Sequence, residues 1–134
     1  RALAETHTEA FAERQVKELS GGQMQRVWLA LALAQTHETL LLDEITTYLD
    51  VYYQYEILDL IRKLNRDCGT TVLMVLHDIN QTIRYADDVV LMKDGRILAT
   101  GGADEVVTGE TLRRTYGVNA EIADVRGRKI CIFE

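Results

Sequence analysis

Two short apolar runs constrain the fold more than anything else in the 134-residue sequence. Thr39-Leu40-Leu41-Leu42 is apolar after its first residue, and Thr70 to Leu76 is β-branched and apolar. Between them, Val51 to Asn65 carries Ile57, Leu58, Ile61 and Leu64 at the spacing of an amphipathic helix, and Asp67-Cys68-Gly69 ends it. Strand, helix and second strand in this order predict an α/β sheet protein. Continuous apolar runs suit parallel strands covered on both faces. Each run stops at polar residues with chemistry to offer, Asp43-Glu44 after the first and His77-Asp78 after the second. The carboxyl ends of parallel strands are where α/β folds place ligands.

A second constrained stretch is Leu19 to Gln35, a short glycine loop that opens directly into an apolar helix. Ser20 is a good N-cap, and Gln23 completes a Ser-x-x-Gln capping box. Gly21 and Gly22 leave backbone amides bare at the positive end of the helix, where a phosphate can approach. The expectation is an anion-binding helix start on a buried stem, Met24 to Gln35.

The remaining elements follow from local signals. Residues 2–13 favour a helix with Leu3, Ala4, His7, Ala10 and Phe11 on one side, His7 being a surface or edge residue. Thr36-His37-Glu38 breaks the stem helix, Ile45 to Asp50 forms a loop, and Ile79 to Ala86 forms a short helix. Val89 to Lys93 and Arg96 to Thr100 flank Asp94-Gly95, the signal of a type I′ hairpin. Gly101-Gly102 reads as a hinge-like break. Thr108 caps a final helix through Tyr116 with Gly117 at C′, and Glu121 to Val125 with Lys129 to Phe133 form a terminal hairpin around Arg126-Gly127.

Composition narrows the function classes. A hydrophobic content of 47% with 27% charged residues is that of a globular domain. The net charge of −6 disfavours a nucleic-acid partner. The longest apolar run, Val27 to Ala34, is too short to span a bilayer. Cys68 and Cys131 have neither a metal spacing nor a disulfide framework, and with no leader evident a reduced cytosolic setting is expected. The chain opens on Arg1 and contains no proline, where average usage predicts roughly seven; a piece of a longer protein is expected.

The polar residues at the strand ends suit phosphoryl chemistry. Asp43 suits Mg²⁺, which prefers one or two carboxylates and keeps several waters. Glu44 points the other way and suits a base for an in-line water, and His77 suits a donor to the same phosphate. Taken singly, each has a plainer reading: an ordinary capped helix, a solvated loop start, an exposed histidine. Their joint order is more specific. Leu19-Ser20-Gly21-Gly22-Gln23 resembles the signature motif of ABC-type ATPases, and Leu40-Leu41-Leu42-Asp43-Glu44 resembles their Walker B motif with its catalytic glutamate. Thr47-Tyr48-Leu49-Asp50 resembles the D-loop, and Val75-Leu76-His77-Asp78 the switch-histidine loop. The resemblance covers nearly the whole chain and is strongest to importers of iron–siderophore complexes, with haem and cobalamin importers close behind.

The resemblance implies a partial P-loop NTPase fold of the ABC ATPase type, with parallel strands, flanking helices and antiparallel hairpins. Residues 1–35 would end a helical subdomain, 36–117 form the Walker B, D-loop and switch-histidine core, and 118–134 the C-terminal hairpin. It implies Glu44 and His77 as catalytic, Asp43 as the Mg²⁺ residue acting through water, and Asp50 as the D-loop acid. Ser20, Gly21, Gly22 and Gln23 would bind ATP held by the P-loop of a second ATPase subunit in a head-to-tail dimer. The implied partners are that subunit, membrane permease subunits and, indirectly, a substrate-binding protein; the implied location is the cytoplasmic face of the plasma membrane. No glycine in the sequence is followed by lysine, so the P-loop that cradles the β- and γ-phosphates is absent. The isolated chain is therefore expected to be inactive, and to self-associate through an uncovered sheet edge. The family's glutamine loop would lie upstream of Arg1, and its usual prolines are replaced at Gln15, His37 and Ile45. Two other readings stay open: a non-transport ABC protein of the DNA-repair or translation type, and a catalytically dead interaction module.

Overall fold

The computed structural model describes residues 1–35 and 38–134, so the helix break expected at Thr36 and His37 lies outside the described residues. The chain divides into two compact units, Arg1–Val75 and Leu76–Glu134.

In the first unit, strands β1 (Thr39–Leu42) and β2 (Thr71–Met74) pair in parallel, with Leu40 opposite Val72 and Leu41 opposite Leu73. Hydrogen bonds from Thr71 N to Glu38 O (2.8 Å) and from Val75 N to Leu42 O (3.0 Å) extend the ladder at both ends. The crossover is helix α3 (Val51–Cys68), which runs beyond the expected Asn65 and ends at Gly69. Its stripe is buried as expected: Ile57, Leu58, Ile61 and Leu64, joined by Leu60. Helix α2 (Gly21–Gln35) packs against α3 and buries Leu29, Ala30 and Leu33.

Two expectations need correction here. The strands are covered on one face only: Leu40 is 1% exposed, whereas Leu41 is 72% and its register partner Leu73 is 63% exposed. Likewise, α2 is buried along one stripe, with Trp28 and Leu31 about half open to solvent. An apolar run says that burial is favourable, not that a layer is there to supply it.

Residues 2–13 do not form one helix either. Helix α1 spans Ala2–Glu5, and a 3-10 turn covers Glu9–Phe11. Thr6 and Thr8 are fully buried between them; their hydroxyls share a hydrogen bond of 2.9 Å, and the Thr6 hydroxyl also donates to the Ala2 carbonyl at 3.0 Å. Hydroxyls that capture nearby carbonyls compete with helix continuation. His7 takes a left-handed conformation (φ 55°) and points to solvent, as do Leu3, Ala4 and Ala10 of the expected apolar side.

The second unit begins with helix α4 (Ile79–Tyr85), followed by the hairpin of β3 (Asp88–Lys93) and β4 (Arg96–Gly102). Asp94 and Gly95 turn it with φ of 49° and 72°, the two left-handed residues of a type I′ turn. A register shift after Leu91, which faces Ala99 while Met92 faces Ile97, leaves Leu98 as an extra residue on β4. Gly101 and Gly102 are not a hinge. They pair with Val89 and Asp88, so β4 continues into the short helix α5 (Ala103–Val106), which the sequence pattern did not indicate.

Helix α6 (Gly109–Tyr116) starts at the Thr108 cap, whose hydroxyl accepts from Thr111 N at 3.2 Å, and ends at Gly117. Strands β5 (Ala120–Val125) and β6 (Arg128–Phe133) form the terminal hairpin. The core of this unit gathers Ile79, Val89, Leu91, Val106, Val107, Leu112 and Cys131. Among the described residues the architecture is α/β, one parallel pair plus antiparallel hairpins. Among the described residues no helix is long and apolar enough to cross a membrane.

Candidate functional site

The glycine loop folds as its residues predict. Ser20 Oγ accepts from Gln23 N at 3.3 Å, and Gln23 Oε1 accepts from Ser20 N at 3.0 Å, closing the capping box. This fixes the first turn of α2 while Gly21 stays exposed. The next element is held close by. Leu49 lies 3.8 Å from where a Cβ on Gly21 would sit, and the Tyr53 ring lies 2.9 Å from a Cβ on Gly22. Gly22 is thus required for close approach: any side chain there meets the aromatic ring. Further along, Arg26 of α2 forms an ion pair with Glu56 of α3.

Gly22→Ala is therefore expected to be coupled to Tyr53. With Tyr53 present, the added methyl displaces the ring; in a Tyr53→Ala background it brings the ordinary helix gain of alanine over glycine. A double-mutant cycle on urea unfolding should show coupling of about 1–2 kcal/mol. Additivity of the two changes would mean that the ring does not seat the loop.

The second part of the site is the loop that leaves β1. Asp43 and Glu44 are both exposed at the strand end. Glu44 has φ 49°, a conformation that costs a non-glycine residue on the order of 1–3 kcal/mol and is concentrated at functional positions. Its carbonyl accepts from Thr47 N at 3.0 Å, and buried Ile45 (6% exposed) plugs the turn into the core. Tyr48 is also left-handed (φ 64°) and fully exposed. The loop closes where Gln54 Nε2 donates to Leu49 O (2.9 Å) and Gln54 N to Asp50 O (3.0 Å), placing Asp50 at the N-cap of α3. Beside the strand end, Gln25, Trp28, Leu29, Leu41, Asp43 and Ile45 border a cavity of about 220 Å³.

The first unit thus brings the signature-like loop against the Leu49–Tyr53 segment, on the chain that leaves Asp43 and Glu44. His77 lies in the second unit, exposed, immediately before Asp78, whose Oδ1 accepts from Gln81 N at 3.0 Å and caps α4. Sequence reasoning missed Tyr53 and Glu56. A close-approach glycine announces that something large is near it, but not which residue.

The profile of the ABC transporter family matches residues 1–47, which include the glycine loop and Asp43-Glu44. Over 133 residues the chain is 47% identical to the iron(3+)-hydroxamate import ATP-binding protein FhuC of Bacillus subtilis, covering 98% of this chain and 49% of that protein. It is 44% identical over 124 residues to the ferric enterobactin transport ATP-binding protein FepC of Escherichia coli, covering 92% and 46%. The chain therefore spans about half the length of the curated relatives it matches.

Among solved structures, one described as an inward-facing metal-chelate type ABC transporter superposes with a TM-score of 0.88 at 27% identity, over 99% of this chain and 53% of the other. CbiO1 of Clostridium perfringens, part of the ABC transporter complex cbiONQ, superposes with a TM-score of 0.72 at 32% identity, over 84% and 45%. In sequence and in fold, the chain is similar to ABC transporter ATPases over about half of their length.

Proposed function

We propose that this chain is part of the ATPase subunit of an ABC importer that couples ATP hydrolysis to uptake of an iron–siderophore complex, or of haem or cobalamin. The observation that carries this reading is the seating of the Ser20–Gln23 loop against Leu49 and Tyr53, within the unit that bears Asp43 and Glu44 at a parallel strand end. A phosphate-ready loop, an acidic strand end and the segment joining them are thus built as one piece. The names of the relatives, iron-hydroxamate import and ferric enterobactin transport ATP-binding proteins, support the substrate class.

Each side chain then has a role. The amides of Gly21 and Gly22, with the Ser20 hydroxyl as a donor and Gln23 closing the box that holds them, would face ATP held on the P-loop of a second, head-to-tail subunit, where fixed donors stabilise charge developing on the phosphoryl group. Glu44 would accept the proton of the attacking water, and His77 would donate to the phosphate. Asp50, at the head of α3, would meet the opposite subunit.

The residues fit Mg²⁺: Asp43 offers one exposed carboxylate beside an open cavity, enough for an ion that keeps most of its waters. When bound, the ion would offset the charge of the phosphate oxygens. The remaining partners of this reading are membrane permease subunits, with a substrate-binding protein engaged indirectly, at the cytoplasmic face of the plasma membrane.

The test is an ATPase and nucleotide-binding assay of this chain alone and after fusion to an upstream half carrying a P-loop. No turnover alone and turnover in the fusion is the expected result. Turnover by the chain alone would overturn the reading.

A further inference from the structure

We infer that Asn80 is a positioning residue that latches the C-terminal hairpin to the turn carrying His77; the inference rests on the role proposed above for that histidine. The latch is a paired hydrogen bond. Asn80 Oδ1 accepts from Cys131 N at 2.7 Å, and Asn80 Nδ2 donates to Cys131 O at 3.2 Å. One side-chain amide thereby satisfies both backbone groups of a residue in β6, as a neighbouring strand would. The two residues are 51 positions apart in the chain. On its other edge β6 is paired with β5, with Cys131 opposite Ile122. Strand β6 is therefore held between β5 and a helix side chain, with a third tie from Lys129 Nζ to Asp104 at 2.7 Å.

What the latch holds is the first turn of α4. Asp78 caps that turn through Gln81 N, and its carbonyl accepts from Thr82 N at 3.0 Å. Ile79 enters the same core cluster as Cys131. His77 is the residue before the cap. Flanked by Ile79 in the core and Asn80 on β6, the cap has little freedom to shift unless the hairpin shifts too. The Cys131 thiol is pushed above its ordinary value by burial first and by the Asp78 carboxylate second, in keeping with a close approach of β6 to the cap. Residues 118–134 thus act on the switch-histidine segment from a distance in sequence.

The experiment compares amide hydrogen exchange and the His77 imidazole NMR signal in this chain with those in Asn80→Leu, which keeps volume and removes both bonds, and Asn80→Asp, which keeps the acceptor and loses the donor. Losing the latch should speed exchange about tenfold at Cys131 and, in concert, at Gln81 and Thr82. The β3–β4 amides should stay unchanged and the His77 signal should shift. Asn80→Asp should fall between the parent and Asn80→Leu, and alkylation of Cys131 should rise relative to Cys68 in the same molecule. If β6 loosens while Gln81, Thr82 and His77 behave as in the parent, Asn80 anchors the hairpin only and the inference fails. Should Asn80→Leu also lose β3–β4 protection, Asn80→Asp decides by the same criterion. In the P-loop fusion, Asn80→Asp should lower kcat with KM for ATP unchanged. If His77→Ala leaves turnover of that fusion intact while the latch responds in exchange, the role of the histidine falls and the latch stands.

Discussion

Glu44→Gln in a protein that joins this chain to its P-loop half is expected to lower ATP turnover by about 10²–10⁴-fold, the usual contribution of a positioned proton acceptor. Glutamine keeps the size and hydrogen-bonding reach of glutamate but cannot take a proton at neutral pH, so nucleotide binding should survive while hydrolysis does not. The backbone makes this substitution a clean one. Glu44 sits at φ 49°, a geometry set by the turn to Thr47 and the buried Ile45, and glutamine at the same site meets the same constraint. Single-turnover kinetics with bound ATP would separate the two effects. A loss of binding in parallel with turnover, or unimpaired turnover, would remove Glu44 from the role of base.

Leu40→Ala should be the most damaging truncation of β1, costing about 2–5 kcal/mol, whereas Leu41→Ala beside it should change stability by no more than about 0.5 kcal/mol. The two leucines are neighbours in one apolar run, yet one is 1% and the other 72% exposed. Truncating Leu40 removes contacts that the surrounding helices cannot collapse to replace, while truncating Leu41 trims surface already facing water. Urea unfolding followed by fluorescence of Trp28, the single tryptophan, reports on this unit. Equal losses at the two positions would mean that the outer face of the pair is covered in solution, for instance by a second copy of the chain.

That contrast shows where reading the residues stops. The capping box at Ser20 and Gln23, the Asp94-Gly95 turn and the Thr108 start of α6 were all legible, because each is decided by atoms within a few residues of one another. So was the strand–helix–strand order, since its periods of two and 3.6 are written in the positions of the apolar residues. The ordered set of Ser20 to Gln23, Asp43-Glu44, Asp50 and His77 was legible as a family pattern, and the relatives agree with the family that this pattern suggests. The break at Thr6 was less so. Two threonine hydroxyls outcompeted a helical propensity that summed favourably over twelve residues.

By itself, then, the sequence determined the α/β class, the order of elements and the chemical types at the strand ends. Tertiary structure alone decided which face of β1 is buried, that Glu44 is held left-handed, that Gly22 is the seat of Tyr53 and that Asn80 stands in as a strand beside Cys131. The reason is physical. Caps and turns draw their energy from neighbours along the chain, whereas burial and long-range pairing depend on residues whose proximity exists only once the chain has closed on itself.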